Sequence, residues 1–311
     1  MTIAVLMATS LGALLAQHLW FCDLLANLRV QQCLSLVSVL SICLLVQQWR
    51  WAAIAGFCLL LHLPWFLDAF REGVRVRNSD TPTSDGLTVT MANVLTSNLR
   101  FDDILADAIQ NRPDVLVILE LSHGLADRLA KEIGPEYPHA IAKPMDDGNF
   151  GIGMYSRHPF IASEVFKLNT EVESIEATID IRGRAHRIIA THPLPPLGDR
   201  GFKLRNDHLH EMARRIGFID GGMTPSILVG DLNVTPWSPH FRSLIDKTGL
   251  RRAVDGFDAT PTWYRIPRYP FGLTLDHALI STNLECVEHI VGPDIGSDHR
   301  SVTVKINSRL R

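Results

Sequence analysis

The first 71 residues restrict the fold more than any other part of the chain, because they are almost free of charge. Three stretches of 17 to 22 residues contain no charged side chain: Met1–Cys22, Val30–Trp49 and Trp51–Leu67. A helix needs about 20 apolar residues to cross a hydrocarbon layer of about 30 Å. Arginines at the breaks and tryptophans near the ends are typical of a membrane–water interface. We therefore predict three transmembrane helices in a membrane region of residues 1–70.

Two other interpretations apply to uncharged stretches of this kind. A cleaved signal peptide is not favoured, since the first stretch has no basic start and no Ala-x-Ala near its end. A buried helical subdomain of a soluble protein remains the alternative. With three spans, the rest of the chain lies on the same side of the membrane as the loop Cys22–Val30. Four arginines on that side against Arg50 on the other favour a cytoplasmic location. The four are Arg29, Arg71, Arg75 and Arg77.

Residues 71–86 are polar and rich in turn formers, and they predict a linker. The pattern changes in residues 87–311. LTVTMANV alternates like a half-buried strand, FDDILADAIQ has helical periodicity, and DVLVILEL is a continuous apolar run typical of a buried strand. About 225 residues suffice for one large core. We predict a four-layer α/β sandwich, in which two packed mixed β-sheets are flanked by helices.

Further elements are predicted from the same patterns. The strand candidates are GIGMYSR, IEATIDIRG, HRIIATH, SILVGDLNV, LDHALIS and SVTVKI, and the helical candidates are Lys203–Gly217 and Pro239–Gly249.

Charge and cysteine content make some functional classes less favoured without excluding nucleic acid as a substrate. Of the 30 basic and 33 acidic residues, three and two lie in residues 1–71, which leaves 27 and 31 for the rest. A mildly acidic domain has no broad basic surface for non-specific binding of nucleic acid. Four of the five cysteines lie in or beside the apolar region, so neither a disulfide framework nor a zinc site is indicated.

Polar residues stand at the ends of several predicted strands. A side chain directly after a buried strand is rigidly held, and several strand ends of one sheet can converge on one point. Taken singly, an Asp or Asn in such a place usually makes a turn. Turn formation does not require Glu or His, and the set as a whole therefore indicates a site. Its members are Asn93, Glu120, His192, Asp231, Asn233, Asp276, Asp298 and His299.

These residue types suit phosphoester chemistry. Carboxylate and amide oxygens are hard ligands that favour Mg²⁺ or Mn²⁺ over zinc. Such a cation neutralises phosphate oxygens and stabilises the charge of an in-line displacement. A histidine oriented by an aspartate can exchange protons near neutral pH and contact the phosphoryl group. The components of a metal-assisted phosphoester hydrolase are thus all present.

The motifs resemble a known family. GDLN after an apolar strand, LDHALIS, a terminal SDHRSV, LE at the end of a buried strand and an early strand-end Asn are similar to the endonuclease/exonuclease/phosphatase (DNase I-like) superfamily. The resemblance covers about residues 87–308. GDLNVTPWSPHFRSLI and ATPTWYR look most like the bacterial branch with N-terminal membrane helices, which implies a multi-pass protein of the bacterial inner membrane.

The resemblance implies a metal side of the site. Glu120 would be the principal ligand of Mg²⁺ or Mn²⁺, with Asn93 close by and Asp298 beside the metal. Some nucleases of the family carry an acid two residues after the early Asn, where this chain has Leu95. The charge of the groove and any second metal position differ accordingly.

The resemblance also implies a phosphate side. Asp231 would orient or deprotonate the attacking water, and Asn233 would bind phosphoryl oxygens. His299, oriented by Asp276, would contact the phosphate and stabilise the transition state. His192 would be a second histidine on this side.

The expected function is membrane-anchored, metal-dependent hydrolysis of a phosphomonoester or phosphodiester by direct attack of water. The expected partners are a lipid bilayer and a phosphorylated substrate, either a lipid headgroup or a small solute; no protein partner is indicated. Nuclease activity on nucleic acid is the first alternative. The second is a catalytically silent membrane scaffold, although Leu95 is the one departure from the family pattern.

Overall fold

The computed structural model describes residues 2–74, 86–181, 183–217, 224–265 and 272–308. Most of the predicted linker, residues 75–85, lies outside the described residues. The helices are α1 (Thr2–Gly12), α2 (Trp20–Asn27), α3 (Arg29–Leu45), α4 (Trp49–Glu72), α5 (Phe101–Gln110), α6 (His123–Glu132), α7 (Gly198–Gly217) and α8 (Pro239–Thr248), with a short 3₁₀ turn over Ala13–Leu15 after α1.

Two mixed β-sheets pack face to face. The first has seven strands in the order β1-β10-β13-β9-β8-β7-β6, and the second has six in the order β14-β15-β2-β3-β5-β4. The strands of the first sheet are β1 (Gly73–Val74), β6 (Phe160–Lys167), β7 (Glu173–Ile181), β8 (Arg184–Ala190), β9 (Ser226–Asp231), β10 (Arg251–Asp255) and β13 (Asp276–Ile280). Those of the second are β2 (Leu87–Asn93), β3 (Val115–Leu119), β4 (His139–Lys143), β5 (Ile152–Ser156), β14 (Leu284–Val291) and β15 (Val302–Ser308), and β11 (Trp263–Tyr264) and β12 (Gly272–Leu273) form a separate ribbon.

Helices cover the outer face of each sheet, which confirms the predicted arrangement of two packed mixed sheets flanked by helices. Helices α5 and α6 pack on the second sheet through a cluster that includes Leu116 and Ile118 of β3. Helices α7 and α8 pack on the first sheet around Leu228 and Leu279. The alternate residues of β3, such as Val117, join the core between the sheets. Both faces of β3 are therefore buried, as its continuous apolar run predicts.

The prediction of three membrane-spanning helices is wrong. Among the described residues, only one helix, Trp49–Arg71, is long and apolar enough to cross a membrane by itself. The segments Thr2–Leu15 and Trp20–Asn27 pass the same test only as a pair, and they are bent by 113° at the break between them. The middle helix, Arg29–Leu45, is apolar but shorter.

The bend has a physical cause in the polar residues of α2. Asp23 is fully buried and forms an ion pair with Arg205 of α7, with Nη2 of Arg205 2.6 Å from Oδ2 of Asp23. An unpaired carboxylate is costly in hydrocarbon. The chain therefore leaves the direction of α1 and lays α2 on the sandwich. Arg29, which the sequence analysis assigns to a membrane loop, is also buried, and it donates to the carbonyl oxygens of Ala13 and Trp237.

Gly230 sets the distance between two strands that lead to the site. A Cβ on this residue would lie 1.9 Å from the carbonyl oxygen of Thr191 and therefore cannot fit without movement of the backbone. Overpacking of this kind costs about 1–3 kcal/mol. We expect Gly230→Ala to lower the midpoint of thermal unfolding of the full-length protein by several degrees.

The matched control is Gly217→Ala at the end of α7, where the one contact of a Cβ with the described part of the chain is the carbonyl oxygen of Lys247 at an ordinary 3.6 Å. Equal midpoints for the two variants would contradict the close approach of β8 and β9.

Candidate active site

The site lies at the polar end of the core between the sheets. Core residues alternate along each strand, as in Ile227 and Val229 of β9, and the next residue in this alternation is Asp231. The same alternation places Asn93 at the end of β2, His192 two residues after the end of β8, and Asp276 at the start of β13. Each of these residues is two positions away from a core residue of its strand. Since side chains two apart share one face of a strand, all four point between the sheets. The structure thus brings together residues that the sequence analysis selected separately.

Two carboxylates stand directly opposite each other in the first sheet. Asp231 pairs with Asp276 across the antiparallel ladder of β9 and β13, and both are buried. Like charges in this position repel. The imidazole of His299 offsets the repulsion, because its Nδ1 donates to Oδ2 of Asp276 at 2.8 Å and its Nε2 lies 3.6 Å from Oδ2 of Asp231.

These contacts determine the charge of His299. Burial by itself lowers the pKa of its imidazole, but the carboxylates of Asp276 and Asp231 outweigh burial and raise the pKa to about 10. Burial likewise opposes ionisation of Asp231, but His299, His192 and the N–H of Asn233 together lower its pKa to about 2. Burial and Asp231 raise the pKa of Asp276, whereas His299 acts in the opposite direction. At neutral pH the proton shared by the pair therefore stays on the imidazole of His299, and its Nε2–H is available for an anion.

Glu120 and Asn93 form the second half of the site. Glu120 directly follows β3 and has a left-handed backbone (φ 58°), which costs about 1–2 kcal/mol for such a residue. Thr96 supports this conformation, since its N–H donates to Oε2 of Glu120 at 3.3 Å and its hydroxyl to the Glu120 carbonyl at 3.3 Å. Nδ2 of Asn93 donates to Oε1 of Glu120 at 3.0 Å and to Oδ2 of Asp231 at 3.3 Å. Asn93 thus links the two carboxylates.

Burial raises the pKa of the Glu120 carboxyl, although His192 and the hydrogen bond from Asn93 act in the opposite direction. A buried carboxyl with this tendency is stabilised as an anion by a bound cation. Glu120 and Asp231 offer hard carboxylate oxygens on either side of Asn93, which is the donor type that Mg²⁺ and Mn²⁺ prefer. The residues present therefore fit a divalent cation of this class.

A second grouping of possible ligands is better explained as a proton-bridged cluster. Ligand atoms of Asp231, Asp276 and His299 lie within 4.8 Å of one another. A histidine side chain binds a metal ion only as the neutral imidazole. The carboxylates of Asp276 and Asp231 raise the pKa of His299 and favour its protonated form. Glu120 and Asp231 offer carboxylate oxygens on either side of Asn93, so the Glu120 side is the better place for a cation.

Asn233 and His192 complete the phosphate side. Asn233 has a left-handed backbone (φ 52°), its N–H donates to Oδ1 of Asp231 at 2.9 Å, and its Nδ2 donates to the carbonyl of Pro193 at 3.0 Å. Nε2 of His192 lies 3.4 Å from Oδ2 of Asp231, and its ring packs against Phe150 with the centroids 5.3 Å apart. Both side chains face the cavity described below.

Asp298 and Leu95 differ from the rest of the group. Asp298 is exposed, and its Oδ2 accepts a hydrogen bond from the indole nitrogen of Trp263 at 2.9 Å. A metal would have to compete with this bond, so the ligand role of Asp298 stays a prediction. Leu95 is half-buried with a left-handed backbone (φ 63°), and its N–H donates to Oδ1 of Asn93. The position thus orients the Asn93 amide without adding charge.

Sequence reasoning missed several supporting residues. The hydroxyl of Thr262 accepts from the N–H groups of Leu275 and Asp276 and holds the start of β13. Trp263, which bonds Asp298, forms a backbone bridge with His299. Both residues lie in ATPTWYR, and the motif by itself does not indicate a role for either of them.

Helix α7 carries two histidines in different surroundings. His210 is exposed. His208 is fully buried, 2.7 Å from the hydroxyl of Thr191, and burial lowers its pKa to about 4. It therefore supports the residue before His192 as a neutral group.

The site opens into one cavity of about 690 Å³. Its polar lining includes Glu120, His192, Asp231, Asn233 and His299. The apolar residues of the lining, called the apolar wall below, are Leu24, Leu28, Phe150, Leu194, Pro195, Pro196, Leu197, Leu273 and Leu275. The cavity therefore combines charged groups with an apolar wall.

Solved structures share this fold. An endonuclease/exonuclease/phosphatase from Beutenbergia cavernae is 22% identical with a TM-score of 0.60, covering 72% of each chain. Sphingomyelinase C from Streptomyces griseocarneus is 17% identical (TM-score 0.55), and a beta toxin mutant from Staphylococcus aureus with bound magnesium ions is 17% identical (TM-score 0.54). Each covers 72% of this chain, and 99% and 100% of the respective solved chains. At these identities the likeness shows the fold alone.

A comparison with curated proteins gives no match. The model of the Endonuclease/Exonuclease/phosphatase family matches residues 92–299, which is more than half of the sequence and includes all eight selected residues. The chain therefore belongs to the endonuclease/exonuclease/phosphatase family, whose members are metal-dependent phosphoester hydrolases.

Proposed function

We propose that the protein is a membrane-attached, Mg²⁺- or Mn²⁺-dependent hydrolase that cleaves a phosphoester bearing an apolar group, such as a phospholipid headgroup ester. The observation that carries the proposal is the single cavity that joins Glu120, Asp231 and His299 to an apolar wall. The charged groups suit a phosphate, and the apolar side chains suit an aliphatic group.

The metal would be held by Glu120, with Asn93 alongside and Asp298 once its bond to Trp263 is broken. When bound, it supplies positive charge for the phosphoryl oxygens. Asp231 would orient the attacking water through its carboxylate. A carboxylate with a pKa of about 2 is a weak base, which favours orientation over full proton removal.

The remaining residues act on the phosphoryl group. His299, held by Asp276, would donate from Nε2 to a phosphoryl oxygen and stabilise the charge that develops in the transition state. Asn233 gives one amide hydrogen to Pro193, so its second can reach the phosphate. His192 would provide a further contact on this side. Water would attack phosphorus directly, without a covalent enzyme intermediate.

Membrane attachment is supported by the surface of the N-terminal region. Among the described residues, twenty-two of the twenty-eight exposed large hydrophobic side chains lie in residues 5–70. Soluble monomeric proteins rarely expose an apolar surface of this extent. We infer that this surface lies in a bilayer, with the helix Trp49–Arg71 as the segment that crosses it.

Loss of the imidazolium should reduce catalysis. We expect His299→Ala to lower kcat by about 100-fold or more, the effect of a positioned donor. The measurement is steady-state hydrolysis of a chromogenic phosphoester by the purified full-length protein. The control is His210→Ala, whose side chain is exposed on α7. A wild-type rate for His299→Ala would remove His299 from the site.

The assignment of the metal ligand is tested by a titration. We expect chelation to abolish activity and Mg²⁺ to restore it. Glu120→Gln should raise the Mg²⁺ concentration for half-maximal activity at least tenfold, in line with the loss of a charged ligand. Glu171→Gln, whose side chain is 96% exposed, is the control. An unchanged Mg²⁺ requirement in Glu120→Gln would show that the metal binds elsewhere.

Salt dependence separates lipid from nucleic acid. Binding to nucleic acid through several phosphates weakens by about 10³-fold or more between 50 and 200 mM salt. We expect hydrolysis of a dispersed phospholipid to change by less than about threefold over this range and to exceed hydrolysis of an oligonucleotide. A preference for the oligonucleotide, with a steep loss in salt, would establish the nuclease alternative instead.

A further inference from the structure

Helix α2 lies outside the region matched by the family model. It contacts residues 231–237, the segment that carries Asp231 and Asn233 of the active site. Its Asp23 is paired with Arg205, and both side chains have no exposed surface. The same guanidinium donates from Nη1 to the backbone carbonyl of Asn233 at 2.6 Å. Through Arg205, α2 is therefore tied to a residue of the active site.

A second set of contacts fixes the position of α2 along the loop. Oδ1 of Asn27 accepts from the N–H and the hydroxyl of Thr235, each at 2.8 Å. The backbone carbonyl of Asn27 accepts from the indole nitrogen of Trp237 at 3.1 Å. All three side chains are buried. Since buried hydrogen bonds of this kind are costly to break, α2 cannot slide relative to residues 231–237.

These contacts place Leu24 of α2 and Leu28, the residue directly after the helix, in the active-site cavity. Leu24 and Leu28 line the same cavity as Glu120, Asp231 and His299. Leu24 is half-buried and Leu28 is 39% exposed, so both have surface that a ligand can cover.

The helix also connects the cavity with the apolar exterior. Trp20 and Phe21, in the first turn of α2, are exposed, and Leu197 of the apolar wall is 73% exposed. An aliphatic chain leaving the cavity along this side would stay in contact with apolar surface. A polar group would lose hydration there without gaining hydrogen bonds.

We propose that α2 forms the substrate-specificity wall of the active site, and that Leu24 and Leu28 bind an aliphatic chain attached to the phosphoester. This inference rests on the proposed function. It assigns to α2 a role in substrate binding in addition to any role in membrane attachment.

A homologous series of substrates tests the proposal. The full-length protein in detergent or nanodiscs is assayed with p-nitrophenyl n-alkyl phosphates and n-alkyl phosphates from methyl to hexyl, below their micelle-forming concentrations. Each methylene that enters an apolar wall should raise kcat/KM by about fourfold until the wall is filled. In the double variant Leu24→Asn, Leu28→Asn, this dependence on chain length should fall to less than half of its wild-type slope.

The control is Ile109→Asn on α5, which is exposed and outside the cavity lining and should keep the wild-type slope. A slope that is equal in the wild type and the double variant would overturn the inference, whereas a dependence on chain length in both would uphold the proposed function. A flat slope in the wild type would contradict the apolar group in the proposed function as well. Failure to hydrolyse any phosphoester with Mg²⁺ or Mn²⁺ would overturn the proposed function.

A binding measurement does not depend on catalysis or on the double variant. Leu28→Cys introduces a thiol at a partly exposed position, and its reaction with a maleimide is followed after subtraction of the wild-type background. Hexyl phosphate should slow the labelling several-fold more than inorganic phosphate does. Equal rates with the two compounds would exclude an aliphatic site at α2.

Discussion

The hydrogen bond between His299 and Asp276 joins the two sheets at the point where the chemistry is concentrated. Asp276 begins β13 of the first sheet, and His299 precedes β15 of the second. Both are buried, and removal of one partner from such a pair typically costs about 3–5 kcal/mol because the other is left as an unpaired charge. The apolar core between the sheets therefore has to keep them in register. In this way the packing of the sandwich and the geometry of the site depend on each other.

The N-terminal region belongs to the same structural unit. Sequence analysis treats it as a membrane region that carries a separate domain, but α2 contributes a buried ion pair and buried amide contacts to the sandwich. The polar residues that make these contacts, Asp23 and Asn27, are also those that a transmembrane helix would have to exclude. One set of contacts therefore explains both the 113° bend after α1 and the supply of Leu24 and Leu28 to the cavity.

The sequence predicts most of the central strands and helices but few of the edges. Alternating or continuous apolar patterns identified β2, β3, β9, β13 and β15, and the helix predicted from FDDILADAIQ is α5. The strands β4, β6 and β14, which the patterns did not reveal, are edge strands. Most of β6 is exposed on both faces, so its residues show no contrast between an inner and an outer side. A strand of this kind is held by its neighbour in the ladder and not by its own apolar pattern.

The site was predictable to the extent that its residues continue a strand pattern. Asn93, His192, Asp231 and Asp276 extend the inward-facing alternation of apolar strands, and this is visible in the sequence. The role of Arg205 could not be predicted in this way. Its charge is explained only by the ion pair with Asp23, which lies 182 residues earlier in the chain. In an amphipathic helix an arginine is expected on the solvated face. Long-range pairing of this kind leaves no local signal, and the same holds for Trp263 and Asp298.

The charge of the buried groups bears on how many cations the site suits. Glu120, Asp231 and Asp276 are buried acidic groups beside the imidazolium of His299, so their ionised forms leave a net negative charge that a divalent cation offsets. An acid in place of Leu95 would add a further negative charge and favour a second cation. With Leu95 there, a bound cation offsets most of the acidic charge before the anionic substrate arrives. The affinity for the phosphate then comes from hydrogen bonds to Asn233 and His299 and from burial of the attached group as well as from net charge. This is the condition under which an apolar wall next to the charged groups of the cavity contributes most to the choice of substrate.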